Sequence, residues 1–276
     1  MNRFTVVADS SAKLLLVAAI VLTIVSGCGS SGTAATANPT LSAPPTPTTT
    51  LTATPSSSPA STLTPSIQDV MKIADFASLQ PGRYFIDPDG DDSSSLRVVY
   101  EIPAAGWSQW IGAAKFSDVG HVGVSITTVS NLVTDGCRDH SWADPPVGPS
   151  VDDLATALAH LAPFRVTAPP KDVTIYGYSG KHLAWTVPNL PVEGPSDDIR
   201  FSGCTDGHLK SWVAFVDTAE PGDAFYGYSG PAFPEEFWIL DVAGTRLMIE
   251  AGWSPGSAPA DLAELQTVLK SIRIEP

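Results

Sequence analysis

One short segment that occurs twice could carry a nucleophilic serine. Tyr-Gly-Tyr-Ser-Gly stands at 176–180 and again at 226–230. It invites comparison with Gly-x-Ser-x-Gly, the strand-to-helix turn that exposes the serine of many hydrolases. The frame does not fit, because Lys181 and Pro231 stand where the second glycine of that pattern belongs. We interpret both copies as turns, and Ser179 and Ser229 as serines without a recognised catalytic context.

Acidic residues and histidines could hold a metal ion. The stretch Asp87-Pro-Asp-Gly-Asp-Asp92 is similar to a calcium loop. An EF-hand loop, however, needs glycine at its sixth position and glutamate at its twelfth, where this stretch has Asp92 and Val98. We interpret it as a solvated turn, with a weak calcium site as the alternative. The histidines lack zinc-ligand spacing, so we expect no metal and no cofactor; they stand at 121, 140, 160, 182 and 208.

Three cysteines stand at positions 28, 137 and 204. Once Cys28 is assigned to the N-terminal pattern described next, an even pair remains, and in an exported domain such a pair predicts a disulfide. We therefore expect a bond between Cys137 and Cys204, with two free thiols as the alternative. His140 and His208 would then come near each other. A thioredoxin-like redox role is not expected, because the sequence has no Cys-x-x-Cys.

The N-terminus predicts export followed by lipid anchoring. Arg3 and Lys13 precede an apolar run at 14–25 that is too short to span a membrane comfortably. Val25-Ser26-Gly27-Cys28 follows and resembles the lipobox of bacterial lipoproteins. The resemblance implies removal of a signal peptide at residues 1–27 and a diacylglyceryl group on Cys28. The protein would then lie on the outer face of the cell membrane; a chance cysteine near an ordinary cleavage site is the alternative.

Residues 28–66 predict a lipidated cysteine followed by a disordered tether. The part from 29 to 66 has no charged residue and seven prolines among Thr, Ser, Ala and Gly. Such a composition cannot bury enough apolar area to offset the entropy of ordering. We expect an extended linker, either a plain spacer or a glycosylated stalk that lifts the domain into the cell wall.

Residues 67–276 predict a single globular domain of α+β class. Strand-like alternation occurs at 83–86, 96–102, 121–127, 173–176, 182–187, 211–216, 236–242 and 245–251. Helical periodicity follows Ser150 and Pro259, and a weaker helix is predicted at 66–79. Trp107 and Trp110 fall in a predicted turn. We expect an antiparallel sheet with unlike faces, covered by a few helices.

The order of these elements resembles a known family. A strand ending in Ile102-Pro-Ala-Ala-Gly-Trp107, then meandering strands, then a terminal helix running into Ser271-Ile-Arg-Ile274 is similar to the PsbP-like sandwich of actinobacterial lipoproteins of the LpqN type. The resemblance implies an α/β/α sandwich and a non-enzymatic binding or accessory domain. It supplies no catalytic residues.

The formal net charge of the chain restricts the classes of partner that we expect. The formal net charge is −14, and an acidic surface repels phosphate backbones, so we expect no nucleic acid. The expected partners are the membrane, through the lipid anchor, and an envelope protein or cell-wall component; we expect a monomer. Two alternatives stay open. A carrier of a lipid or other apolar molecule predicts a cavity between sheet and helices, and a hydrolase predicts labelling of Ser179 or Ser229 by a serine-reactive probe.

Overall fold

A computed structural model describes residues 67–91, 94–118, 120–194, 199–214, 225–228 and 230–276. The predicted signal peptide, Cys28 and the predicted tether lie outside these residues. The described part consists mostly of antiparallel sheet with two α-helices. The predicted α+β class is therefore confirmed.

The described strands are short at the start of the domain and long in its middle. In chain order they are β1 (Gln68–Asp69), β2 (Ser78–Leu79), β3 (Gly82–Ile86), β4 (Arg97–Ile102), β5 (Trp107–Trp110), β6 (Gly112–Ser117), β7 (Gly120–Asp135), β8 (Asp139–Trp142), β9 (Arg165–Ile175), β10 (Tyr178–Thr186), β11 (Val192–Glu193), β12 (Arg200–Phe201), β13 (Lys210–Ala214), β14 (Phe225–Gly227), β15 (Pro234–Val242), β16 (Thr245–Trp253) and β17 (Arg273–Glu275). The helices are α1 (Val151–His160) and α2 (Pro259–Ser271), and 3₁₀ turns cover Val70–Lys72 and Thr205–Gly207.

Two sheets carry the fold. The larger runs in the order β2-β5-β6-β7-β16-β15-β10-β9, and its long strand β7 also pairs with β8 and β13. The smaller runs in the order β1-β3-β4-β17, with β1 parallel to β3. The turn at Ala243 and Gly244 joins β15 to β16 as predicted. Both residues have positive φ, 52° and 90°, and the Gly244 amide donates to the Asp241 carboxylate at 2.8 Å.

Each face of the large sheet carries its own apolar core. One core lies between the large sheet, the small sheet and α2. The other lies on the opposite face, where α1 and β13 cover it. The prediction of unlike faces therefore needs a correction at β16: the alternation assigned Glu250 to a polar face opposite Ile249, and the structure buries both side chains.

Both predicted helices begin where the sequence placed them. At α1 the Ser150 hydroxyl accepts a hydrogen bond from the Asp153 amide at 3.0 Å, and the Asp153 carboxylate accepts one from the Ser150 amide at 2.9 Å. This reciprocal pair satisfies two amides that the helix itself leaves unpaired. Helix α2 begins at Pro259, whose missing N–H is no loss in a first turn.

The predicted helix at 66–79 is wrong. The chain forms β1, a single 3₁₀ turn and β2 there. The Asp69 carboxylate accepts from the Met71 amide at 2.9 Å and caps the turn, while Val70 enters the core. The predicted turn at Trp107 and Trp110 is wrong as well, since both residues lie in β5 and pair with β6. Long-range strand pairing overrides the local signal in both places.

Candidate functional site

Ser179 lies close in sequence to a lysine that cannot act as its general base. It is exposed on β10 and lines an open cavity of about 610 Å³ together with Lys181. The Lys181 ammonium lies 2.7 Å from both Asp152 and Asp172. Hydrogen bonds to Asp152 and then Asp172 raise the pKa of Lys181 to about 12. Lys181 is therefore protonated at neutral pH and cannot take a proton from Ser179.

The rest of this cavity also serves the fold. The Arg246 guanidinium donates to the backbone carbonyls of Gly148, of Ser150 at 3.2 Å and of Val129 at 2.8 Å, which ties the entry to α1 onto the sheet. The lining is rich in charged and hydroxyl groups. It differs from the apolar cavity between sheet and helices that the carrier hypothesis predicts.

The second Tyr-Gly-Tyr-Ser-Gly copy lies in a different setting from the first. Tyr226 belongs to β14, Tyr228 follows it and is buried, and Ser229 lies outside the described residues. In the first copy Tyr176 and Gly177 form the turn between β9 and β10, with φ of 56° and 88°. The two copies of the repeat therefore adopt different structures and have no shared role in the fold.

The acidic stretch at Asp87 is a turn within its described part. The Gly90 amide donates to the Asp87 carbonyl at 3.0 Å, and the Asp87 carboxylate accepts from Arg97 at 3.4 Å. Asp92 lies outside the described residues. In the part of the chain that the structure covers, no three His, Cys, Asp or Glu side chains come close enough together to hold a metal ion.

Cys137 and Cys204 are joined in a disulfide bond, with an S–S distance of 2.09 Å and 4.5 Å between their Cα atoms. The Thr205 amide donates to the Cys137 carbonyl at 2.7 Å and fixes the same junction. Burial and then the charge of Lys210 lower the pKa of His208, and His140 is near enough to contribute. The two histidines therefore lie in one neighbourhood, as expected for a bond between these cysteines.

Six rings from six parts of the chain form one surface, which we call the aromatic face. It consists of Phe76, Trp110, Phe116, His121, Tyr226 and Phe233. Phe76 and Phe116 are 51% and 52% exposed, unusual values for large apolar side chains. Consecutive rings lie close together, with centroid distances of 5.3 Å for Phe76–Trp110, 6.3 Å for Phe76–Phe116, 5.6 Å for Phe116–His121, 4.9 Å for His121–Phe233 and 6.5 Å for Trp110–Tyr226.

The backbone holds Phe76 in a strained conformation. Its φ is 59°, in the left-handed region that a bulky residue rarely adopts. The buried Gln109 side chain accepts from the Phe76 amide at 3.2 Å, and the Gln109 amide donates to the Ala77 carbonyl at 2.8 Å. Strain of this kind persists only where surrounding contacts hold it, and it concentrates at binding and catalytic sites.

Small residues lie between the rings. Ala114 on β6 pairs with Gly123 on β7, and Gly123 pairs with Gly252 on β16, so three neighbouring strands present almost no side chain on this face. Gly123 and Gly252 are partly exposed. The aromatic face therefore surrounds a low floor of backbone that a ligand could reach.

Two carboxyl groups project from the same face of the sheet, beside this floor, and we call them the carboxyl pair. Glu235 on β15 and Glu250 on β16 are each 2% exposed. Trp185 donates its indole N–H to Glu235, Tyr228 also interacts with that carboxyl group, and Ser125 interacts with Glu250. A Cβ on Gly252 would lie 2.7 Å from Glu250 Oε1 and 3.3 Å from Glu235 Cγ. A side chain at this position would therefore displace the Glu250 carboxyl group.

Burial makes this pair hard to ionise. It raises the pKa of Glu250 to about 8. Burial and then the neighbouring Glu250 charge raise the pKa of Glu235 well above its ordinary range. Two carboxyl groups that cannot both ionise retain a proton at neutral pH. Perturbed acids of this kind concentrate at functional sites, although structural networks also produce them.

Tyr226 connects the carboxyl pair to the aromatic face. Its hydroxyl interacts with Ser125 and Trp110, and burial, followed by the charges of Glu250 and Glu235, raises its pKa well above the ordinary value. Its ring stacks on Trp212 at 4.1 Å. The buried indole N–H of Trp212 has no hydrogen-bond partner in the described structure. Buried polar groups without a partner are rare in protein cores because they destabilise the fold.

A serine and a histidine meet at the rim of the aromatic face. Ser254 Oγ lies 3.3 Å from His121 Nδ1 and accepts from the His121 amide at 2.9 Å. Burial lowers the pKa of His121, which keeps its imidazole neutral at pH 7. The ring contacts Phe116 and Phe233, and no described carboxylate hydrogen-bonds or forms an ion pair with it. The pair thus lacks the orienting acid of a serine triad.

The sequence analysis missed the aromatic face, the carboxyl pair and the Ser254–His121 contact. Their members are brought together by strand pairing across the large sheet, and no short motif contains them. The tryptophans of the folded domain were the available signal, and only Trp110 among them lies on the aromatic face. No described helix is both long and apolar enough to cross a membrane.

Comparisons with known proteins find a similarity among solved structures and none among protein families or curated proteins. No protein-family model matches the chain, and no curated protein matches it. A search of solved structures finds a similarity to the crystal structure of LpqN, described as involved in cell envelope biogenesis of Mycobacterium tuberculosis. The two chains are 10% identical, the alignment covers 72% of this chain and 90% of that one, and the TM-score is 0.29. At that TM-score the similarity carries no argument about fold or function.

Proposed function

We propose that the protein is a lipoprotein of the cell envelope, anchored through Cys28 to the outer face of the membrane. Its domain at 67–276 is a non-catalytic binding module whose aromatic face contacts an envelope protein or a cell-wall component. The lipobox sequence that ends at Cys28 supports the anchor. The exposed aromatic rings support the binding role.

The observation that carries the binding role is the exposure of Phe76 and Phe116 side by side, on a backbone held in strain at Phe76. Leaving two phenylalanines half in water forgoes burial that would stabilise the fold. Contiguous exposed aromatic groups mark interaction sites, and aromatic side chains supply much of the binding energy of interfaces. The charge state of Lys181 and the absence of a described acid on His121 favour binding over hydrolysis.

The anchor gives a direct prediction. Cys28→Ser should block lipidation, because the acyl group is attached to the thiol, and two acyl chains are what hold such a protein stably. We expect the parent chain to partition into the detergent phase of a Triton X-114 extraction and to incorporate labelled palmitate, and the variant to incorporate none. Equal palmitate incorporation in parent and variant would contradict the assignment of Cys28.

The binding role is tested by photocrosslinking in intact cells. A photoreactive phenylalanine replaces Phe76 in the full chain, and Val192, an exposed apolar residue outside the aromatic face, gives the matched control position. We expect a discrete adduct from position 76 that is absent from position 192 and is lost when Phe116→Ala is added. Adducts that are the same from both positions, or that survive Phe116→Ala, would argue against the aromatic face as the contact.

A further inference from the structure

We infer that the aromatic face and the carboxyl pair together form a site for an organic cation, a ligand that carries an amine or quaternary ammonium group. The inference rests on the proposed function and names the ligand class of that same surface. It is argued from the charge, the rings and the access at this place in the fold.

The first step concerns charge. Glu235 and Glu250 are buried side by side, and in the described part of the chain the ion pairs of lysine, arginine and histidine go to other carboxylates. The polar side chains that interact with them are neutral: Trp185, Tyr228 and Ser125. Buried acids without a counter-charge are costly. Without a counter-charge the pair retains its proton, and a positive ligand group would favour its ionised form.

The second step concerns the rings. The π-face of an aromatic ring attracts a cation within about 6 Å of its centroid. Phe76, Trp110 and Phe116 offer rings at consecutive spacings of 5.3 and 6.3 Å around the floor of small residues. Lys115 neighbours Phe116 in sequence, and its ammonium group lies 2.8 Å from both Asp261 and Glu264. This lysine of β6 therefore forms ion pairs with other carboxylates and not with the carboxyl pair.

The third step concerns access. Gly252 is partly exposed, and the position that its Cβ would take lies 2.7 Å from Glu250 Oε1. Trp110 and Ser125 both interact with the Tyr226 hydroxyl, and Ser125 also interacts with Glu250, so these side chains connect the aromatic face with the carboxyl pair. A ligand on the floor at Gly123 would therefore lie one strand away from Gly252 and from the carboxyl pair that fills the space above it.

A divalent metal ion and a sugar fit the observations less well. A metal site would need a larger set of ligands, and the described residues hold no group of three or more candidates. A sugar would use the rings but would offer the carboxyl pair no counter-charge. An organic cation accounts for the rings and the carboxyl pair together.

The test uses choline chloride and its uncharged isostere, 3,3-dimethylbutan-1-ol. The full chain is kept in a nonionic polyoxyethylene detergent at constant ionic strength, and each compound is titrated against the indole N–H signal of Trp110, assigned with Trp110→Phe. We expect choline to bind about tenfold more tightly than the isostere. Equal affinities would overturn the cation, as would a choline titration that leaves the Trp110 signal unmoved.

Three variants assign the effect to residues. Glu250→Gln keeps the shape of the side chain but cannot ionise when the cation binds, so choline affinity should fall to that of the isostere. Phe76→Ala should weaken choline binding about threefold, and Val192→Ala should leave it unchanged. Unfolding transitions of all variants are recorded, because loss of binding counts only in a folded chain. Unchanged choline affinity in folded Glu250→Gln would overturn the proposal.

Two further arms separate the ligand class from the site. Choline affinity should rise between about pH 6 and pH 9, because the pair loses its proton; the described titratable groups that face it are Tyr226 and Tyr228, whose raised pKa values keep them neutral. N-acetylglucosamine is titrated as the competing class. A shift of Trp110 by the sugar that Glu250→Gln leaves intact would overturn the cation, whereas crosslinking from position 76 would still support the aromatic face.

Discussion

Raising the pH from about 6.5 to about 8.5 should destabilise the folded domain by about 2 kcal/mol through Glu250 alone, and Glu250→Gln should remove that share of the loss. Burial raises the pKa of Glu250 to about 8, while an unfolded glutamate keeps its ordinary value near 4.5. Between these values the folded chain holds a proton that the unfolded chain has released. Stability therefore falls as the pH rises, until the folded carboxyl group also ionises.

Within this pH range the titration of His121 does not oppose the effect of the carboxyl pair on stability. Burial lowers the pKa of His121 below 6.5. This histidine therefore contributes stability above its unfolded pKa, and that contribution is lost only at lower pH. Above about pH 6.5 its contribution is constant, and the slope then reports the carboxyl pair.

The measurement is urea unfolding of the parent and Glu250→Gln at both ends of the range, followed by tryptophan fluorescence. The matched control is Glu236→Gln. Glu236 stands next to Glu235 but on the other face of β15, where it lies 3.1 Å from His182 in a more exposed ion pair. The control should keep the pH slope of the parent. Parallel slopes for the parent and Glu250→Gln would show that Glu250 is not the group that titrates.

The carboxyl pair also shows what the alternation of β16 could predict. The pattern placed Leu247, Ile249 and Ala251 on one face correctly, because they pack in the first core. It could not tell whether the other face meets water or a second layer. Helix α1 and β13 come from distant parts of the sequence and cover that face. Met248 and Glu250 are buried together as a result.

Local signals predicted the elements that local interactions determine. The capping residues Ser150 and Asp153 mark the start of α1, and the turn at Ala243 and Gly244 marks the hairpin. The aromatic face depends instead on strand register, since Phe116 meets His121 through the pairing of β6 with β7. Contacts of this kind cannot be predicted from a short sequence motif, because strand pairing determines which residues become neighbours. The pairing of two cysteines was the exception, because exported domains rarely leave an even pair unbonded.

Loss of the disulfide should have the largest effect on stability. The bond between Cys137 and Cys204 closes a sequence separation of 67 residues. In the chain-entropy model a loop of this size stabilises the fold by about 4 kcal/mol, because it restricts the unfolded chain. The double variant Cys137→Ser and Cys204→Ser should therefore unfold at a much lower urea concentration than the parent.

Reduction of the parent chain is the matched control. Dithiothreitol should lower the stability of the parent to that of the double variant and should leave the double variant unchanged. An equal response of both chains to the reductant, or none in the parent, would contradict a structural role for the bond.

The same experiment bears on the aromatic face. The Gly136 carbonyl, next to Cys137, accepts from the Lys210 amide at 2.9 Å and so ties the start of β13 to the disulfide. Strand β13 carries Trp212, on which the Tyr226 ring stacks. Loosening this junction should shift the Trp212 emission to longer wavelength before global unfolding, since its indole is buried in the intact fold. Emission that shifts only with global unfolding would mean that β13 is held by the sheet alone, and that the disulfide acts through the unfolded chain.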